Sequence, residues 1–487
     1  MSSLQRQAIS GIKWTTFQTG VLGITGPFLL IIKARFLSPE AFGYIAIILM
    51  IIGLFHMLES LGISQAIIQK DEITVQESSS LFYFNILLGS LLFGLLYISS
   101  SSIAGFFSLP DLKIYLPIAG IAALITCPSL IFQAFLQKQM YFKELAFISI
   151  SKSLIVFAST AIFLVFGFGV IGVVYGQIAG AAFGTVSIIA ISFRYKTVAI
   201  ALYFNPKKLI PFLRFGLFVS TKQLMTFIAE RLDEVIIGYF LSAEILGIYF
   251  FGKNLLENLR SFITGSFANV LFPVLSKLKH DQSKLTKAYQ HISRYIAFGA
   301  FPVFTGIAVT AHLFVPVIFG AQWTDSIIVF QVFSIALILL ALTANVSTSL
   351  LYSVNKPDLV FYIDVVANCF YMISLFLFAS HGMLAVLLAY SSYVVYKTLI
   401  LQFYANRQLL DGFLYYFREL AMPAASALIM VMFVLVFQLI TNQFIDPAWQ
   451  LAGSILTGCI VYSILAWLFA RETLYQLRSA IIKGEFT

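Results

Sequence analysis

The chain is a succession of long apolar runs, each bounded by proline, glycine, asparagine or charge. Read as helices, the runs cover 9–36, 42–64, 79–102, 112–134, 145–166, 170–193, 212–241, 244–272, 288–319, 326–351, 358–380, 383–405, 419–441 and 448–470. A bilayer core takes about 20 apolar helical residues to cross, and the runs meet that length. Several are separated by short turns, such as Gly167-Phe168-Gly169 and Ser380-His381-Gly382. The pattern predicts an all-α integral membrane protein with about 14 transmembrane helices. The first run carries no small-residue cleavage site after its apolar stretch and is expected to be a retained span.

Two neighbouring runs break the pattern. Run 212–241 holds Lys222, Glu230, Arg231, Asp233 and Glu234, and run 244–272 holds Lys253, Glu257 and Arg260. Charge at membrane depth is costly and usually faces a bundle interior or a wet cavity. Lys253, Glu257 and Arg260 follow i, i+4, i+7 spacing and form one stripe, flanked by Asn254 and Asn258. Lys222, Thr226, Glu230 and Asp233 share a face of the preceding run, while Arg231 lies within i+3 of Glu234. The charges balance, so two readings stand: they neutralise one another between packed helices, or the cations line a cavity and the acids position them.

Composition supports the membrane reading. The chain is 60% hydrophobic and 10% charged, where a soluble protein carries about 25% charged residues. Its formal net charge of +9 needs no nucleic-acid partner, because basic residues gather in cytoplasmic loops of polytopic proteins. With the N-terminus placed in the cytoplasm, the inner segments hold most of the lysines and arginines, including Lys70, Lys138, Lys143, Arg194, Lys207, Lys208, Lys277, Lys284, Arg407, Arg471, Arg478 and Lys483. The outer ends hold only Lys33, Arg35 and Lys113. Both termini are therefore expected inside. The longest polar connections, Arg194 to Pro211 and Ser276 to Lys287, read as basic inner loops, and Asn205-Pro206-Lys207-Lys208 as a surface connector. The stretch from Asn406 to Arg418 reads the same way.

An internal repeat organises the runs. Phe36-Leu37-Ser38-Pro39-Glu40-Ala41-Phe42-Gly43 and Phe240-Leu241-Ser242-Ala243-Glu244-Ile245-Leu246-Gly247 share Phe, Leu, Ser, Glu and Gly at identical spacing. Each copy opens a helix with a serine cap and an acid in the first turn. The copies lie six runs apart. They predict two six-helix lobes related by a pseudo-twofold axis around a central cavity, residues 1–205 and 206–417, with a C-terminal helix pair in 418–487.

Other candidate residues are scattered. Arg35 stands at an outer helix end, where it either snorkels or turns inward, and Lys152 poses the same choice a turn or two into its run. Glu59 and His56 on the second run and Asp364 on the eleventh are candidates for coupling an ion or proton. Cys127, Cys369 and Cys459 lie far apart and form neither metal spacing nor a disulfide framework. No phosphate-binding glycine loop, metal cluster or nucleophile motif is present, so neither a cofactor nor an enzyme activity is expected.

A family resemblance rests on short motifs in order. Ile9-Ser10-Gly11-Ile12-Lys13-Trp14, Ala34-Arg35-Phe36-Leu37-Ser38-Pro39-Glu40-Ala41-Phe42-Gly43, Gly62-Ile63-Ser64-Gln65-Ala66-Ile67-Ile68-Gln69-Lys70 and Arg214-Phe215-Gly216 open it. Val270-Leu271-Phe272-Pro273-Val274-Leu275-Ser276-Lys277 and Val315-Pro316-Val317-Ile318-Phe319-Gly320-Ala321-Gln322-Trp323 continue it. The chain resembles bacterial polysaccharide flippases of the colanic-acid, O-antigen and teichuronic-acid exporter type, in the multidrug/oligosaccharidyl-lipid/polysaccharide superfamily. That resemblance implies fourteen helices in two lobes and translocation of undecaprenyl-diphosphate-linked oligosaccharide across the inner membrane by alternating access. It implies membrane lipid and a lipid-linked oligosaccharide as partners, with a polysaccharide polymerase and chain-length machinery beyond them. A cation-coupled drug exporter of the same superfamily is the alternative; it would favour a more acidic cavity. A membrane polymerase or glycosyltransferase would need a large outer loop with catalytic acids or arginines, and the sequence has none.

Overall fold

The computed structural model describes residues 3–410 and 413–469. Within these, the side chains of 3–9, 218, 219, 222, 266–270, 344, 345, 413–419 and 469 lie outside the described residues, as do Arg471, Arg478 and Lys483 altogether.

The described chain is helical and holds no strand. The helices are α1 (Ser3–Phe36), α2 (Pro39–Ser60), α3 (Ile63–Gln69), α4 (Val75–Phe106), α5 (Leu112–Lys138), α6 (Phe142–Val165), α7 (Gly169–Tyr195), α8 (Ile210–Phe240), α9 (Ala243–Leu278) and α10 (Gln282–Phe314). There follow α11 (Ile327–Ser353), α12 (Pro357–Phe378), α13 (Met383–Asn406), α14 (Phe413–Thr441) and α15 (Pro447–Phe469). Among the described residues, 12 spans are long and apolar enough to cross a membrane. The charge-bearing α8 and α9 are not among them, although they run for 31 and 36 residues. By contacts the chain divides into two units, Met1–Gly247 and Ile248–Thr487.

Both copies of the repeat start helices as expected. Ser38 Oγ accepts the backbone N–H of Ala41 at 3.2 Å and Ser242 Oγ that of Ile245 at 3.3 Å, each satisfying an orphan first-turn donor. The second run ends earlier than its hydrophobicity suggests. Leu61 and Gly62 take left-handed φ values of 35° and 63°, so α2 stops at Ser60 and a short α3 follows at an angle.

In the first unit, α7 packs on α6 through a glycine stripe. Gly172, Gly176, Gly180 and Gly184 fall four residues apart and face Phe163, Thr160, Val156 and Lys152 in turn. Added Cβ atoms would meet Phe163 Cβ at 3.0 Å, Thr160 Cα at 3.1 Å and Lys152 Cδ at 3.1 Å. Lipid tails give helices no hydrophobic reason to associate, so close backbone approach supplies the packing instead.

Two expected inner loops are tied down or nearly absent. Between α7 and α8, three successive serines at the start of α4 hold the connector. Ser78 Oγ donates to the Ala199 carbonyl at 2.8 Å, Ser79 Oγ accepts from Ala201 N at 2.8 Å, and Ser80 Oγ accepts from Asn205 N at 3.0 Å. Only Pro206–Lys208 forms a turn of its own, capped by Asn205 Oδ1 on Lys207 N at 3.0 Å. The Ser276–Lys287 segment is mostly helix, because α9 and α10 leave three residues between them. Asp281 caps α10, accepting from Lys284 N at 3.1 Å, and this bond leads in holding its carboxyl below the ordinary range. Likewise, Phe413, Tyr415, Tyr416 and Phe417 extend α14 and do not form a separate connector.

Candidate functional site

The best-developed polar cluster lies in the second unit, on α9, α11, α12 and α13. At 1.5 Å rise per residue, Lys253 stands about 15 Å and Arg260 about 26 Å from the start of α9. A hydrocarbon core is about 30 Å thick, so a spanning α9 would carry this stripe inside it. Arg260 Nε meets Glu257 Oε2 at 2.7 Å, with side chains 23% and 29% exposed. Tyr390, buried on α13, donates to Glu257 Oε1 at 3.3 Å. The carboxylate is thus held from two sides, and it holds the guanidinium by one nitrogen. An arginine carries five N–H donors in a rigid fork, so the Arg260 terminal nitrogens remain to engage an anion bidentately.

Tyrosines carry the cluster from α9 to α12 and α13. Lys253 Nζ lies 5.6 Å from the Tyr249 ring centre. Tyr249 Oη is 3.1 Å from Tyr371 Oη. Tyr371 stacks on Tyr393 with centroids 4.9 Å apart, and Tyr390 stacks on Phe333 at 4.2 Å. Beyond Tyr393, Lys397 Nζ binds Asp364 Oδ1 at 2.9 Å and lies 3.4 Å from Tyr393 Oη. Asn258 Nδ2 donates to Asn254 Oδ1 at 2.9 Å beside the stripe.

Lys253, Glu257 and Arg260 therefore form a stripe as their spacing predicts. Asp364, read from sequence as a candidate ion site, already has Lys397 as its cation. The sequence reading missed Lys397, Tyr249, Tyr371, Tyr390 and Tyr393. Their signal was present, since Tyr390, Tyr393 and Lys397 follow i, i+3, i+7, as do Asp364 and Tyr371 at i, i+7. Tyrosine is so common in membrane helices that spacing alone did not separate these from packing residues.

The Asp364–Lys397 pair yields a stability prediction. Asp364 is 39% exposed, so solvent screening limits the coupling to about 1 kcal/mol. Lys397→Met alone should destabilise the purified protein more than Asp364→Asn/Lys397→Met together, because the single change strands a carboxylate. A double-mutant cycle on melting temperatures reads this, and strictly additive single effects would disprove it.

The remaining candidates lie in the first unit. On α8, Arg231 Nη1 binds Glu234 Oε1 at 2.8 Å, and Asp233 Oδ1 accepts the Glu234 N–H at 2.9 Å. Both acids are 2% exposed, whereas Glu230 is exposed, so the face read from spacing divides into a buried and an open part. Lys222 lies on α8, but its side chain is outside the described residues. Glu59 on α2 is 1% exposed, near Cys127 of α5 and Gly89 of α4. Its Oε2 lies 3.3 Å from His56 Nδ1 without making a hydrogen bond, and His56 is 44% exposed. Lys152 lays its stem over Gly180 and Gly184 of α7. Arg35 is exposed at the end of α1. Among the described residues no group of three or more side chains could hold a metal ion.

The fold matches a solved transporter structure. The "Lipid II flippase MurJ, inward closed conformation" aligns at TM-score 0.74 and 17% identity, over 96% of this chain and 100% of that one. A multi-span, MurJ-like helical membrane protein is therefore the class. The profile described as "Polysaccharide biosynthesis protein" matches residues 32–329, more than half of the sequence, and the chain belongs to that family. The "Teichuronic acid biosynthesis protein TuaB" of Bacillus subtilis (strain 168) is 27% identical over 467 residues, 96% of each chain. The "Lipopolysaccharide biosynthesis protein WzxC" of Escherichia coli (strain K12) is 26% identical over 363 residues, 74% of this chain and 73% of that one.

Proposed function

We propose that this protein carries a diphosphate-linked oligosaccharide, attached to a polyprenyl lipid such as undecaprenol, across the bacterial inner membrane for surface polysaccharide assembly. The observation that carries this reading is the Arg260–Glu257–Tyr390 cluster. It offers a fixed guanidinium with open donors to an anion, and tyrosine hydroxyls and lysines nearby to sugar oxygens. Similarity to TuaB and WzxC, whose names place them in teichuronic acid and lipopolysaccharide synthesis, supports the same substrate class. On this reading α8 and α9 also cross the membrane, giving fourteen spans and two repeat-related lobes with both termini cytoplasmic. Arg231, Lys222, Lys152 and Arg35 are further cations for the passage of the substrate, with Glu230, Asp233 and Glu234 setting their positions. A polysaccharide polymerase with its chain-length machinery would receive the product.

Purified protein in proteoliposomes tests the proposal. It should move a fluorescent polyprenyl-diphosphate oligosaccharide between leaflets, measured by quenching from outside. Movement of cationic dyes without the lipid-linked sugar would favour the drug-exporter alternative.

Glu59 and His56 are the proposed coupling pair, a buried carboxylate reached through a half-exposed imidazole. Cys127 from α5 stands beside Glu59. Glu59→Gln keeps the shape but binds no exchangeable charge. It should abolish the acceleration given by an imposed pH gradient, at least tenfold, and leave gradient-free exchange near wild type. Equal acceleration in variant and wild type would remove the pair from coupling.

A further inference from the structure

The repeat does more than open two helices, because its two copies lie against each other. A Cβ on Gly43 would sit 2.7 Å from the carbonyl carbon of Ala243, in collision with its oxygen. A Cβ on Gly247 would sit 2.8 Å from the carbonyl carbon of Pro39, again in collision with the oxygen. Pro39 and Ala243 hold the same place in the repeat, as do Gly43 and Gly247. The contact is therefore reciprocal, as in an interface between twofold-related copies.

The other end of α2 is built alike. A Cβ on Gly62 would lie 2.5 Å from the Gly216 carbonyl oxygen, and one on Gly216 would strike the Leu61 carbonyl, 3.2 Å from its carbon. Leu61 there holds a φ of 35°, a left-handed conformation that costs a branched residue free energy and persists only where the surroundings impose it. Between the two ends, Gly53 faces the Phe227 ring at 3.1 Å from an added Cβ. One helix, α2, is thus fastened at both ends to the α8 segment and the start of α9 by backbone laid on backbone.

We propose that these two glycine contacts are alternating clasps: Gly43/Gly247 parts while Gly62/Gly216 holds, and the reverse, with α2 pivoting on Phe227 in between. This rests on the transport reading above, since alternating access needs one end of the path to open while the other stays shut. The contacts suit that task. At each clasp the nearest approach is backbone to backbone, and such contacts are individually weak; beside the second, Ile63 and Phe212, with Leu61 and Leu213 packed on them, slide apart when it opens. Packed contacts of this kind have two discrete arrangements and do not stretch continuously. In this structure both clasps are closed.

Cysteine pairs test it in a background lacking Cys127, Cys369 and Cys459. Glu40→Cys with Glu244→Cys flanks one clasp, and Gln65→Cys with Leu217→Cys flanks the other; all four positions are exposed. Bifunctional thiosulfonate reagents of graded length should join each pair, stop transport at least tenfold, and release it on reduction. Gly43→Ala should cut short-reagent joining of the 40/244 pair at least fivefold and leave the 65/217 pair joined; Gly216→Ala should do the opposite. Joining either pair without loss of transport, or unchanged joining in both glycine variants, overturns the proposal. Transport in the joined proteins needs no glycine changed, so a variant that misfolds leaves that arm decisive. Joining yields need no substrate: if they shift as expected while no lipid-linked sugar moves, the clasps stand and the flippase reading falls.

Discussion

Arg260→Ala is expected to slow transport of a lipid-linked oligosaccharide about 30- to 1,000-fold while the protein still folds and inserts. The guanidinium is held by Glu257 through a single nitrogen at 2.7 Å, and Glu257 is itself held by Tyr390. Removing one member of a partly buried, hydrogen-bonded charge pair typically costs about 2–4 kcal/mol in an interaction that depends on it, and each 1.4 kcal/mol is a factor of ten. Lys253→Ala should add to the loss. Glu257→Gln keeps the donors but loosens their aim, so its effect should be intermediate, near tenfold. These differences separate a binding role from mutual neutralisation. If the charges only cancel one another, Arg260→Ala should lower the melting temperature and Arg260→Ala/Glu257→Gln should restore both stability and transport. Wild-type rates in Arg260→Ala proteoliposomes would place the anion site elsewhere.

Gly176→Leu should be the most damaging change in the first unit. Its Cβ would already lie 3.1 Å from Thr160 Cα and collide with the Thr160 hydroxyl, so α6 and α7 would have to separate along the whole stripe. Overpacking of this kind costs about 3 kcal/mol, and the loss of adjoining glycine contacts adds to it. The variant should fail to give a monodisperse peak in detergent or should melt several degrees lower. Gly94→Leu is the matched control, because an added Cβ there meets nothing within 4 Å. Equal melting of the two variants would show that the stripe does not set the packing.

Much of the fold was legible because apolar runs and their terminators act locally. Each predicted run corresponds to a helix, with ends displaced by a few residues where capping or a left-handed pair intervened. Leu61 shows the limit: nothing in its own apolarity announces that the chain turns there. The α9 stripe was legible because helical spacing fixes which residues share a face. Its partners were not, since Tyr390 lies 133 positions from Glu257 and only tertiary packing brings them together. Serines 78–80 were hidden for another reason. At a helix start they look like ordinary capping residues, yet their hydroxyls face sideways to a segment about 120 residues away.

That serine tie bears on how the polypeptide can be lengthened or divided. Apart from the turn at Pro206–Lys208, the connector after α7 has no regular structure of its own, which would ordinarily mark it as the place to add a tag or separate the halves into two chains. Its backbone from Ala199 to Asn205 is instead bonded into the first two turns of α4, so a cut or insertion there would break hydrogen bonds belonging to the amino-terminal half. The more tolerant site is the short turn at Lys207 and Lys208, past the last serine bond, where a split gene would break only the turn's own bonds to Asn205 and Pro206.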